Sequence, residues 1–449
     1  MCVSRYLDEP SRRLCSFLTC PAGVVTSTTG QVRRKAVRFL SARSVHAGPA
    51  GPVLLLYWNP YRRLREAVAS HLRAVRAAVP TGSVLAVNTA LLGAPQFLST
   101  VRPSAVVLHT TFLGMRWASN FERTRQQTEW IGKCGVDVIA LPQDDYDHAD
   151  VLDEWLVEMG ATAVLSPFAE HGDFYSKARK QARMVRILTG YVDRSRAAVA
   201  PALPLADRPH DVVYRASSLP YWFGSFGQMK SSVARVALAE AASRGLSADI
   251  STTDVIYGSD WYRHLSSGRV VVGCEGGSSV FDGRGNVRRR IEEILSESPD
   301  AAFEEVDRRM PAGWDSRMYS ALSPRHLEAV LTRTPQVLVE GEYSGVLLPG
   351  KHYVPVSRDL SDLGDALEEA LHPEVGRRLA DQAFVDVVES GEYGYEHLTE
   401  LVRRELPPRV GIVPAWSRSM TVALGLGARG RRAGSALRRR VRRAGSILR

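Results

Sequence analysis

The stretch from Ser323 to Asp359 constrains the fold most, because it reads in succession as helix, buried strand, glycine loop, short strand and helix cap. Ser323 is placed to accept from the open N–H groups of a new helix, and Pro324 at the first helical position has no N–H to leave unpaired. Val337-Leu338-Val339 is apolar throughout, as a parallel strand covered on both faces requires. Gly341 and Gly345 flank Glu342-Tyr343-Ser344 just past that strand, where open α/β sheets place their ligands. A carboxylate near such an edge accepts two ribose hydroxyls, and glycine-loop N–H groups bind phosphate or sugar oxygens. Together these features point to a site for a nucleotide sugar.

The same alternation of strand and helix runs through the rest of the chain. Pro52 to Trp58, Ser83 to Val87, Ala105 to Leu108, Val136 to Leu141 and Ala163 to Leu165 read as buried strands separated by helical stretches. After Pro201 to Pro209, a proline-rich segment read as a hinge, come Asp211 to Tyr214, a helix from Gln228 to Arg244, Ser247 to Thr252 and Val270 to Val272. This pattern predicts βαβ units and parallel sheets. A length of 449 residues suits two such domains. The expected division is a poorly ordered extension at 1–50, an acceptor-side Rossmann-like domain at 51–200 and a hinge at 201–210. A nucleotide-sugar domain with crossover helices follows at 211–406, and a basic tail at 407–449. Residues from Asp362 to Glu405 read as mainly helical, interrupted at Pro373 and Gly391.

The formal charge of +10 suggests nucleic-acid binding until it is located. Ten arginines and no Lys, Asp or Glu follow Trp416, so the remaining 48 basic residues balance 48 acidic ones. A neutral body makes nucleic acid an unlikely partner. The tail repeats RAGSAL (432–437) and RAGSIL (443–448), with Ala433, Leu437, Val441, Ala444 and Leu448 on one helical face among arginines. Such a helix suits an anionic membrane surface. A disordered solubilising tail is the plainer alternative, and nucleic-acid contact by the tail is a third. Five cysteines without CxxC or zinc-like spacing suit a reducing cytoplasm. Neither a secretory signal nor a spanning run is expected, so the reading is a cytoplasmic protein, peripheral at the inner face of the plasma membrane through its tail.

Arg215 ends the first strand of the second domain, and Gly224 and Gly227 open the next helix ahead of Lys230. Glycines at a helix start let backbone approach phosphate, and Arg215 with Lys230 would neutralise a leaving diphosphate without a metal. An ordinary turn with solvated basic residues is the alternative. Gln143-Asp144-Asp145-Tyr146-Asp147 sits at a strand end and imitates a DxD metal motif; Asp144 and Asp145 are read as cleft residues and no metal is expected.

Residue by residue, Ser323, Pro324, Arg325, Glu328, Ala329, Glu340 to Gly345, His352, Tyr353 and Pro355 resemble the C-terminal half of GT-B glycosyltransferases. The likeness is to a bacterial group, similar to families 1 and 4, with an SPRxxEA…EGEYSG…HYxP run. Leu188-Thr189-Gly190-Tyr191 and the loop at Cys274–Ser279 extend it over roughly 53–400, with Gly276 standing where the group has serine. The resemblance implies two Rossmann-like domains facing a cleft and metal-independent sugar transfer to a glycan or lipid-linked acceptor. The nucleotide sugar is a co-substrate, and no other cofactor is implied. Retention of configuration is favoured. It further implies donor contacts at Arg215, Gly224, Gly227, Lys230, Glu275, Ser278, Arg325, Glu328, Tyr343, Ser344, Gly345 and His352. His109, Glu340 and Glu342 are the catalytic candidates. Epimerisation, polyol-phosphate transfer and silent nucleotide-sugar binding are the competing functions.

Overall fold

The computed structural model describes residues 51–61, 63–197 and 203–414. The expected extension at 1–50, Pro201 and the amphipathic tail from 415 onward lie outside the described residues. The first sheet contains β1 (Val53–Tyr57), β2 (Val84–Asn88), β3 (Ala105–Leu108), β4 (Asp137–Ala140), β5 (Ala163–Ser166) and β6 (Arg183–Arg186). These run parallel in the order β2-β1-β3-β4-β5-β6. β7 (His210–Arg215), β8 (Ala248–Ser251) and β9 (Gly268–Gly273) follow, then a short antiparallel pair, β10 (Gly276–Ser278) and β11 (Tyr319–Ala321). β12 (Gln336–Val339) and β13 (Val354–Val356) complete a second parallel sheet of order β13-β12-β9-β7-β8. The architecture is therefore α/β with two parallel sheets, as expected.

Each strand of β1 and β3 buries both faces. Leu54, Leu56, Val106 and Leu108 enter one cluster with Phe112, Leu152 and Trp155, while Val53, Leu55, Ala105 and Val107 enter another with Ala74, Leu398 and Val402. That double burial is why these strands carry no polar alternation. β6 lies at the edge, and both its arginines are exposed. Charge there discourages pairing with another chain, and it also hides the strand from an apolar-run reading.

Two devices fasten the domains together. The last helix, Tyr395–Glu405, returns to the first sheet, where Leu398 and Val402 are fully buried. Its Tyr395 hydroxyl donates to Ala67 O at 3.2 Å and Thr399 Oγ1 to Ala74 O at 3.0 Å. The second device is the segment from β10 to β11, which packs on the first domain. The Tyr319 ring stacks on Tyr146 (6.0 Å, 13°), lies 5.0 Å from Phe174, and its hydroxyl donates to Asp173 at 2.6 Å. Asp282 N donates to Tyr146 O at 2.9 Å, and Asp150 N to Gly283 O at 3.0 Å. Residues 203–209 of the expected hinge are fixed to the second sheet. The buried Arg208 guanidinium donates to the Leu203, Gly268, Thr332 and Arg333 carbonyls and to Thr334 Oγ1.

Tyr319→Ala should therefore cost about 3–5 kcal/mol of unfolding free energy, since it deletes a buried ring. Tyr319→Phe, which loses only the bond to Asp173, should cost about 1 kcal/mol. Urea unfolding of both variants checks this, and equal losses would assign the fastening to the hydroxyl instead.

Candidate functional site

The loops after β1 and β7 line one pocket between the sheets. Arg65, Glu66 and Ala67 form the first-domain wall, and Arg215, Ser217, Lys230, Trp261, Arg325 and Glu328 belong to the second. Both loops leave the carboxyl ends of parallel strands, where ligand sites of open sheets lie. The pocket thus brings together four of the residues singled out by sequence: Arg215, Lys230, Arg325 and Glu328.

Their positions are set by backbone groups. Arg215 donates to the Tyr214 carbonyl at 3.0 Å, the Asp249 carbonyl at 2.8 Å and the Asp249 carboxylate at 2.5 Å. Arg325, one residue into the helix Pro324–Leu331, donates to Arg215 O at 2.8 Å and lies over the Tyr214 ring. Lys230 is buried in the second turn of the helix Gly224–Ser243. Glu328 is one turn along from Arg325, and its Oε2 accepts from Trp261 Nε1 at 2.8 Å. Burial raises the Glu328 carboxyl to about 7; Glu66 and Asp193 push the same way, while the Trp261 bond and Arg325 oppose. Across the pocket, Glu66 accepts from Arg196 at 2.5 Å and Arg73 at 3.2 Å, and Asp193 from Arg73 at 3.0 Å and Ser70 at 2.9 Å.

The other residues expected at the donor make contacts within the protein. The helix opened by Gly224 has its first amides capped from within: Ser225 N donates to Asp315 at 2.8 Å and Phe226 N to Ser279 Oγ at 3.0 Å. A Cβ on Gly224 would lie 2.1 Å from Asp315 and 2.3 Å from Ser279, and one on Gly227 2.4 Å from Phe223, so these glycines admit protein rather than phosphate. Glu275 is buried and serves the glycine loop, accepting from Tyr343 N at 2.7 Å and Glu342 N at 3.3 Å. Ser278 is buried, donating to Phe223 O at 3.1 Å and accepting from Val280 N at 3.0 Å. Tyr343 is fully buried in a cluster with Leu327, Val346 and Tyr353, and its hydroxyl donates to Val339 O at 2.6 Å. Ser344 sits at φ 55° and accepts from Leu322 N at 3.2 Å, and Gly345 supplies a further positive φ of 76°. His352 is buried, with Nδ1 accepting from Leu348 N at 3.2 Å and Nε2 2.9 Å from Asp386. Ser323 holds the cap position of its helix without a side-chain capping bond.

The catalytic candidates also lie outside the pocket. His109 is fully buried and caps the short helix Thr110–Leu113; its Nδ1 accepts from Thr111 N at 3.2 Å, and its Nε2 is 3.0 Å from His71 Nδ1. Burial and the His71 neighbour drive its pKa well below the usual range. Glu340 and Glu342 are exposed and do not line the pocket. Asp144 accepts from the Tyr146 hydroxyl at 2.7 Å, and its carbonyl accepts from the buried Arg116 at 2.7 Å. Asp145 is buried against the Ser166 and Tyr175 hydroxyls, and burial raises its carboxyl to about 6.

Sequence reading missed Arg65, Glu66, Ser217 and Trp261. Arg65 and Glu66 were within reach, because they open the helix that follows the first strand of a parallel sheet. Trp261 lacked any such signal, since only folding brings it to Glu328.

No protein-family model matches the chain, and no curated protein matches it. Among solved structures it is similar to Anabaena Alr3699/HepE in complex with UDP-glucose, at 10% identity over 79% of this chain and 99% of that one, TM-score 0.46. It is also similar to an alpha-glucosyltransferase in complex with UDP-glucose and DNA containing an abasic site, at 9% identity over 78% and 99%, TM-score 0.45. A third is sucrose-phosphate synthase from Thermosynechococcus elongatus, at 11% identity over 79% and 98%, TM-score 0.42.

The raised Glu328 carboxyl carries a pH signature. The folded protein keeps this proton where the unfolded chain has lost it, so its contribution to stability is full at acid pH. That contribution declines as pH rises from the ordinary carboxylate range through about 7. Glu328→Gln should therefore stabilise the unliganded protein at pH 8, on the order of 2 kcal/mol, with no gain at pH 4.5. Denaturant unfolding at both pH values checks it; a gain of the same size at pH 4.5 would refute the assignment.

Proposed function

We propose that this chain is a GT-B glycosyltransferase that moves a sugar from a nucleotide-sugar donor to a glycan or lipid-linked acceptor. The observation that carries this reading is the convergence of Arg215, Lys230 and Arg325 with the buried Glu328 at the strand ends facing the cleft. Three cations in one wall suit a diphosphate, whose charge grows as the sugar departs. Their fixed positions mean that little reorganisation accompanies that growth, and no divalent ion is required for it. A carboxylate one helical turn from Arg325 suits the ribose hydroxyls, and in its ionised form it accepts from both. The acceptor enters from the first-domain side, and retention of configuration remains the favoured outcome by the sequence resemblance.

Calorimetry with nucleotide sugars tests the donor assignment. Arg215→Ala and Glu328→Ala should each weaken binding by about 1.5–3 kcal/mol, the worth of a charged hydrogen bond. Unchanged affinity in both would remove the donor from this pocket. Turnover should survive a chelator, and loss restored by Mn²⁺ would make the chemistry metal-dependent. Binding without transfer or hydrolysis would leave a nucleotide-sugar binding protein.

Among the described residues no helix is long and apolar enough to cross a membrane. The reading assigns membrane contact to the ten arginines after Trp416. The full chain should sediment with anionic liposomes at low salt and detach at high salt. A chain ending at Pro414 should stay in the supernatant with donor affinity intact, and equal sedimentation of both would sink the tail assignment.

A further inference from the structure

We propose that Arg65 is a ligand-binding residue that the first domain contributes to the anionic end of the donor, an inference that rests on reading the pocket as a nucleotide-sugar site. Arg65 stands at the cap position of the helix Glu66–Ala77, with extended backbone (φ −61°, ψ 146°) and no capping bond from its side chain. Its guanidinium instead crosses the pocket and donates from Nη2 to Ser217 Oγ at 3.2 Å, linking the loop after β1 to the loop after β7.

The surroundings favour an anion at this place. Arg215, Lys230 and Arg325 line the opposite wall, and the adjacent carboxylate, Glu66, is already engaged by Arg196 and Arg73. A planar guanidinium pairs with two phosphate oxygens at once, a stronger and more directional contact than its bond to the neutral Ser217 hydroxyl. An entering diphosphate therefore draws Arg65 from Ser217 and closes the pocket from the first-domain side. Ser217 is one resting partner of Arg65, and Arg65 is the ligand contact. The three second-domain cations alone would leave that side of the diphosphate to water.

The test uses the full chain and the diphosphates of uridine and guanosine as probes, with Kd measured by calorimetry and folding checked by circular dichroism. Arg65→Ala should raise Kd at least about tenfold and weaken its salt dependence, with binding of the uncharged nucleosides unchanged. Arg65→Lys should restore part of the loss, and Ser217→Ala should leave Kd unchanged or lower it. Unchanged Kd in Arg65→Ala, beside a clear loss in Arg215→Ala, would overturn the role of Arg65 and leave the pocket reading standing. A loss in Ser217→Ala as large as in Arg65→Ala would make the bond a staple between domains and overturn it as well. If neither diphosphate binds the unsubstituted chain, the pocket reading itself fails and takes this proposal with it.

Discussion

The packing of Tyr319 and its neighbours against the first domain is the constraint on which the site depends. A pocket built from two loops exists only while the two sheets keep one relative position. Tyr146, Phe168 and Phe174 receive Tyr319 from the far half of the chain, and the backbone of Tyr146 and Asp150 pairs with Asp282 and Gly283 beside it. Ring contacts of this kind exceed their burial alone and are directional. They fix orientation as well as proximity, and the helix Tyr395–Glu405 adds a second point of attachment. Arg208 in turn fixes residues 203–209 to the second sheet.

Within that frame the electrostatics are arranged by burial. Carbonyls and one carboxylate hold the two second-sheet guanidiniums in place: Tyr214 and Asp249 for Arg215, and the Arg215 carbonyl for Arg325. Glu328 has a single indole donor and two acidic neighbours, so its charge is disfavoured until something supplies more donors. A ligand offering hydroxyls would meet that need. The unliganded pocket is therefore more positive than its residue list suggests.

The sheet framework was legible in the sequence because doubly buried parallel strands leave uninterrupted apolar runs, as at Leu54-Leu55-Leu56 and Val270-Val271-Val272. β6 was not legible, since an edge strand with two exposed arginines resembles a loop. The grouping of Arg215, Lys230, Arg325 and Glu328 around one pocket was legible because strand ends and helix starts are local events. The internal partner of the glycine loop at 341–345 was not legible: Glu275, 67 residues before Glu342, folds back to accept from the Glu342 and Tyr343 amides. The partners of His352 and His109 were hidden in the same way, since a polar residue at a strand end looks the same in sequence whether it faces solvent or, like His109, a second buried histidine. Long-range partners of this kind carry no periodicity.

The crossover helix has a consequence for synthesis. The last strand of the first sheet ends at Arg186, yet that sheet's core takes in Tyr319 and then Leu398 and Val402. Domains commonly fold in order of emergence from the ribosome. This sheet emerges with one face still open, and it waits for nearly half of the chain to be translated before the wall is complete. Nascent chains are thus exposed longest on the surface that the helix Tyr395–Glu405 later covers.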